Sequence, residues 1–137
     1  MQHLHHFNFL AILVSAVILW VLGAAWYSPP LFAKPWMAAL RITPDPTNKK
    51  GLVPGMIASL VGDFILAFVL EHLILWAHAG SVHGGAFIGF LVWVGFFAAP
   101  NFPQGIYERR PFTLFAINNG YWLVGLIIVG ILLAMWH

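Results

Sequence analysis

Long apolar stretches alternate with short polar segments along the chain, and four of these stretches have the length of a membrane-spanning helix. They cover residues 4–27, 52–76, 84–100 and 112–136. A helix needs about 20 mostly apolar residues to cross the hydrocarbon core, and each stretch meets or approaches that length. The pattern predicts an all-α fold in which residues 1–137 form one transmembrane domain, an integral membrane four-helix bundle.

Prolines mark the predicted ends of the first and third spans. Ser28-Pro29-Pro30 follows the first span, and Pro100-Asn101-Phe102-Pro103 follows the third. Proline has no N–H to donate and disfavours the helical conformation of the residue before it. Both segments are therefore predicted to stop their helices.

The composition agrees with a membrane protein and excludes several other classes. Hydrophobic residues make up 61% of the chain and charged residues 7%, whereas about a quarter of residues are charged in soluble domains. A formal net charge of +2 is too small to indicate nucleic-acid binding. The absence of cysteine excludes thiol catalysis and thiolate metal sites.

The cationic residues predict an orientation. All six lie between spans one and two or between spans three and four: Lys34, Arg41, Lys49, Lys50, Arg109 and Arg110. Loops rich in Lys and Arg stay on the cytoplasmic side. We therefore expect cytoplasmic basic loops and both termini outside.

Two acids and a histidine interrupt the apolar second span. Asp63 lies about 16 Å along this helix, near the bilayer centre, where a carboxylate that faces lipid costs about 2.5–3.5 kcal/mol. Ser59 precedes it by one turn on the same face, and Glu71 lies about 12 Å further along, towards the outer interface. We interpret Asp63, Glu71 and Ser59 as a candidate ion or proton site; the alternative is that Asp63 fixes helix packing.

The surface that faces Asp63 has three candidates. Small residues near it, including Gly55 and Gly62, permit close approach of another helix. That helix could belong to span three, to span four or to a second copy of the chain. Because four helices enclose little space for a pathway, we expect a homo-oligomer, a dimer or trimer.

Two further groups of residues suggest ligand sites. Trp26 and Tyr27 end the first span, and Asn118 and Asn119 lie in the cytoplasmic part of the fourth; together they are candidates for an inner vestibule. His72, His78 and His83 fall near the predicted outer face and are candidates for a metal site, since imidazole binds Zn, Cu and Ni. The alternatives are an aromatic belt and polar helix caps, respectively.

These features leave three hypotheses for function. The leading one is a proton- or cation-linked transport or permeation protein that binds a small cation or small molecule. The second is a non-enzymatic structural or accessory membrane subunit, and the third is an outer-face metal-binding protein. No catalytic motif appears, although an embedded enzyme using Asp63, Glu71 or a histidine as acid or base stays open. The sequence identifies no cofactor.

Both ends of the chain resemble a known family. The first half carries Gly23, Trp26, Tyr27, Ser28 and Pro29, then Phe32 and Trp36. The second half carries Glu108, Arg110, Pro111, Leu114, Ile117, Gly120 and Tyr121, then Gly130, Ile131, Leu132 and Trp136. These residues resemble a family of small bacterial membrane proteins classified as domain of unknown function 1761. The resemblance implies a four-helix integral membrane protein from bacteria and no assigned activity. We expect the protein in the cell (inner) membrane, with several spans and cytoplasmic basic loops.

Overall fold

The computed structural model describes residues 8–41 and 51–136, which form helices and no strand. The helices are α1 (Phe9–Trp26), α2 (Ala33–Leu40), α3 (Leu52–Trp76), α4 (Val82–Val92), a π-helical segment (Trp93–Ala98), α5 (Ala99–Tyr107) and α6 (Phe112–Met135). Because α4, the π-helical segment and α5 are continuous, the described residues contain four helices long and apolar enough to span a membrane.

Side-chain caps set the beginnings of two spans. Asn8 precedes α1 in an extended conformation, and its side-chain oxygen accepts a hydrogen bond from the N–H of Ala11 at 3.1 Å. Ser81 caps α4 in the same way, by accepting from Gly84 at 3.0 Å. The predicted first span started at residue 4; residues 1–7 lie outside the described part, within which α1 starts at Phe9.

The third span corrects the expected end at Pro100. Its helix continues through Pro100 and Pro103 and ends at Tyr107. Pro100 occupies the second position of α5, directly after the π-helical segment. There the hydrogen-bond register changes from i→i+5 back to i→i+4, so a missing N–H costs less than in a regular helix.

Helix α6 is the centre of the bundle, and its closest neighbour is α4. A Cβ atom on Gly85 would collide with the carbonyl of Gly130, and one on Gly89 with the carbonyl of Leu126. The two backbones therefore touch without intervening side chains, as small residues allow between membrane helices.

The two ends of the bundle differ in charge. Lys34, Arg41, Arg109 and Arg110 lie at one end, which we call the basic end. At the opposite, terminal end the side chain of Asn8 donates a hydrogen bond to the carbonyl oxygen of Trp136 at 3.1 Å. This contact shows that α1 starts and α6 finishes on the same side of the bundle.

The bundle is tightly packed towards the terminal end and open towards the basic end. Its core consists of residues from α1, α3 and α6, including Ile12, Leu70 and Leu133. In contrast, residues 51–59, at the start of α3, are all exposed. Trp20 holds this part of α3 to α1 by donating a hydrogen bond to the carbonyl oxygen of Met56 at 3.2 Å.

Candidate functional site

Asp63 lies where the packed half of the bundle meets the open half. Its side chain is 4% exposed, although Gly55 and Ser59, on the same face of α3, are exposed. The residue lies about 16 Å from the first residue of α3 and about 20 Å from the last. Within the described part of the chain, no side chain forms a hydrogen bond or ion pair with it.

Tyr121 of α6 is a buried polar residue close enough to Asp63 to interact with its charge. The tyrosine is 6% exposed, and its hydroxyl lies within electrostatic reach of the Asp63 carboxyl group. The hydroxyl donates a hydrogen bond of 2.6 Å to the carbonyl oxygen of Leu19 in α1. This bond joins α1 to α6 beside the acid and fixes the position of the phenol.

Tyr27 connects this buried region to the basic end. Its ring packs edge-on against that of Tyr121, with 5.9 Å between the ring centroids. Its hydroxyl donates to Asn118 Oδ1 at 2.7 Å. Burial raises the pKa of Tyr27 to about 12, so the hydroxyl stays protonated and remains a donor at neutral pH.

A pocket of about 550 Å³ opens beside Tyr27, between α5 and α6. Its apolar wall is aromatic and includes Phe102, Phe112, Phe115 and Trp122. Its polar groups come from Asn101, Gln104, Glu108, Arg110, Asn118 and Asn119. A cavity of this size that combines an aromatic wall with converging polar groups is typical of a site for a small molecule.

Hydrogen bonds hold part of this polar lining in place. Asn119 is 4% exposed; its Nδ2 donates to the carbonyl oxygen of Phe115 and its Oδ1 accepts from Asn101 at 3.1 Å. The indole of Trp93 donates to the carbonyl oxygen of Asn119 at 2.7 Å. These bonds occupy the polar groups of Asn119, so Asn118 Nδ2 and Asn101 Oδ1 are better placed to bind a ligand.

The structure brings three of the four predicted vestibule residues to this pocket. Tyr27, Asn118 and Asn119 line it, whereas Trp26 does not. The indole of Trp26 donates to the carbonyl oxygen of Ile117 at 2.9 Å, and its ring packs against Phe32 with 4.8 Å between the centroids. Trp26 therefore holds α1 against α6 behind the pocket.

Ser59 and Glu71 are surrounded differently from Asp63. The Ser59 hydroxyl donates to the carbonyl oxygen of Gly55 at 2.8 Å and the residue is exposed on the open half of α3. Glu71 was expected near an outer mouth, but it is 0% exposed within the packed half. This enclosure arises because α1, α4 and α6 close around this part of α3, which the α3 sequence alone does not reveal.

The three candidate metal-binding histidines do not form a cluster. His72 is half-buried, with Nδ1 2.9 Å from the carbonyl oxygen of Phe68 and its ring against those of Phe68 and Trp76. Among residues 8–41 and 51–136, no group of three metal-binding side chains occurs. His78 has a positive φ of 54° and belongs to the turn between α3 and α4.

Several residues of this region were not singled out by the sequence. Tyr121 was noted for its resemblance to a family motif, and Asn101 was interpreted as part of a helix stop. A polar residue in the middle of an apolar span, as at Tyr121, is the pattern that would have identified the first. Gln104 and Trp122 gave no distinguishing pattern.

Comparison with known proteins identifies one family. The family model described as "Protein of unknown function (DUF1761)" matches residues 10–134, which include all four spans except their outermost residues. Neither the search of curated proteins nor the search of solved structures found a match.

Proposed function

This chain belongs to the DUF1761 family of proteins of unknown function, and on that premise we propose that it is a transport or permeation protein for protons or small cations. Asp63 is the residue that binds the ion. The pocket beside Tyr27 is the vestibule through which the ion, or a small molecule moved with it, arrives from the basic end.

The burial of Asp63 carries this proposal. An acid in the middle of a membrane span is costly and is retained chiefly where it pairs, faces water or serves function. Asp63 is 4% exposed and has no cationic partner within the described part of the chain. A carboxyl group in this position binds a proton, or a cation that enters with it, more readily than it keeps a bare charge.

A series of polar groups supports the direction of entry. The pocket reaches Tyr27, the ring of Tyr27 contacts that of Tyr121, and Asp63 acts electrostatically on Tyr121. Tyr27 and Tyr121 therefore lead from the cavity at the basic end towards the region of Asp63. Glu71 lies deeper in the packed half, where it extends the proposed site towards the terminal end.

The membrane arrangement is part of the proposal. We expect the basic end to face the cytoplasm of a bacterial cell, because Lys and Arg are retained on that side, and both termini to be outside. We also expect a homo-oligomer. The exposed start of α3, with Gly55 and Gly62 in open space, is the surface on which a second copy packs.

The test is ion flux through liposomes that contain the purified protein. We expect Asp63→Asn to reduce proton or cation flux at least tenfold, because the amide keeps the shape of the side chain but does not ionise. Flux is followed with a pH-sensitive dye under an imposed potential, in parallel with Na⁺ and K⁺ gradients. Asp45→Asn, in the loop between the first two predicted spans, removes a carboxylate elsewhere and should leave flux unchanged.

The same variant distinguishes the transport hypothesis from the accessory one. If Asp63→Asn breaks the oligomer while the wild-type protein conducts nothing, Asp63 stabilises packing and the chain is an accessory subunit. Unchanged flux in Asp63→Asn, with the oligomer intact, contradicts the proposed site.

A further inference from the structure

A second, open groove lies at the basic end and adjoins the pocket beside Tyr27, with which it shares Arg110 and Pro111. It has a volume of about 980 Å³ and runs between α2 and the turn that leads into α6. Apolar residues of α2, including Ala38 and Leu40, form one wall, and Thr113 lies on the opposite wall. Three arginines line it: Arg41, Arg109 and Arg110.

The charge of this groove is positive. Glu108 forms an ion pair with Arg110, 2.7 Å from its Oε2 to the arginine Nε, and so balances one of the three cations. Within the described ranges, neither Arg41 nor Arg109 lies within ion-pair distance of a carboxylate. Both are exposed, and both have a left-handed backbone, with φ of 56° and 57°, which is uncommon for residues with a side chain.

The chemistry of the groove matches a phosphate ester. Guanidinium groups bind phosphate oxygens through paired, charge-assisted hydrogen bonds. The hydroxyl of Thr113 and the partial positive charge of the N–H groups in the first turn of α6 add to the attraction for an anion. The groove is much larger than an inorganic phosphate needs, and one of its walls is apolar, so the ligand that fits it is amphipathic.

The position of the groove identifies the source of that phosphate. It lies at the ends of membrane spans, where lipid headgroups are found. Basic pockets between helices on the cytoplasmic side, which is the side proposed for the basic end, bind anionic headgroups. Beside it Phe112 is 66% exposed, as a side chain that contacts acyl chains would be. We propose that Arg41 and Arg109 bind the headgroup phosphate of an anionic phospholipid, independently of ion transport.

The experiment measures lipid retention by the full chain. The protein is reconstituted in nanodiscs of phosphatidylcholine with increasing phosphatidylglycerol, and retained lipids are counted by native mass spectrometry. We expect selective retention of phosphatidylglycerol. The double change Arg41→Gln with Arg109→Gln should weaken it about 25-fold, from about fivefold for each arginine near an anionic surface.

Lys34→Gln is the matched control, since it removes a cation of the same end that does not line the groove. An equal loss in Lys34→Gln shows general charge attraction and overturns the proposal. Equal retention of phosphatidylcholine and phosphatidylglycerol by the wild-type protein also overturns it, whether or not the double variant folds. Displacement of the lipid by millimolar inorganic phosphate indicates a free-anion site and contradicts the lipid assignment.

Discussion

Asp63 and Glu71 are two acids of one helix that differ in how the other helices pack around them. Asp63 lies at the boundary of the packed half, beside Tyr121, whereas Glu71 is enclosed within that half. Helical spacing predicts the depth of both acids and the face of α3 that each occupies. It does not predict enclosure, because that depends on how closely the other helices approach. The apolar sequence around Asp63 therefore located a candidate site but not its neighbours.

Tyr27→Phe should lower stability by about 1–3 kcal/mol, because it leaves Asn118 Oδ1 without its donor in a half-buried site. Tyr107→Phe is the control, since Tyr107 is 86% exposed and should change stability by less than about 0.5 kcal/mol. The measurement is reversible unfolding in mild detergent. Equal effects of the two changes would contradict the role given to the Tyr27 hydroxyl.

The pH dependence of this contribution has a definite sign. Tyrosine has a pKa of 10.0 when unfolded, and burial raises the pKa of Tyr27 to about 12. Its contribution is therefore fully present below pH 10 and is lost as the pH rises towards 12. The difference between wild type and Tyr27→Phe should be constant from pH 6 to 9 and should shrink above pH 10.

At the scale of the helices, the sequence predicted the spans better than their ends. Apolar length alone predicts α3, because residues 52–76 contain no proline after the first turn, and the structure places the helix at Leu52–Trp76. The third span differs because Pro100 and Pro103 look like a stop. Pro100 is tolerated because it follows the π-helical segment, which no residue pattern in Trp93–Ala98 predicts, whereas Pro103 lies inside α5.

The contact between α4 and α6 gives the second prediction of stability. Gly89→Ala should destabilise the protein by about 1–3 kcal/mol, since its new methyl group has no space beside the carbonyl of Leu126. Gly95→Ala is the matched change, because nothing lies within 4 Å of the Cβ position at Gly95. Denaturation in mixed detergent micelles compares the two. Equal stabilities would show that the two helices separate readily.

At the scale of the whole molecule, one chain leaves a large apolar surface uncovered. The exposed part of α3 includes Val53 and Ile57, which are 63% and 60% exposed and suit contact with lipid. It also includes the small residues Gly55 and Gly62, which lie on another face. The number of spans followed from the sequence, but helix pairing did not, because all four spans offer small residues and apolar surface.

Native mass spectrometry of the protein in mild detergent tests the proposed oligomer. We expect a dimer or trimer for the wild type, and a shift to monomer in Gly62→Leu, because the larger side chain prevents close approach of a second copy. Val53→Phe enlarges the opposite face of the same helix and should leave the oligomer intact. A wild-type protein that is monomeric under all mild conditions contradicts the homo-oligomer.

The π-helical segment has a consequence for how the third span presents its residues. A π turn contains one more residue than an α turn, so everything after it is rotated by about 100° relative to a regular α-helix of the same residues. If the same residues formed a regular α-helix instead, Asn101 would be rotated away from Asn119, with which it forms a hydrogen bond of 3.1 Å. The phase of α5 therefore depends on this wide turn: deletion of one residue from Trp93–Ala98 would let a regular α-helix replace it with the pocket wall nearly in place, whereas insertion of one residue would rotate that wall.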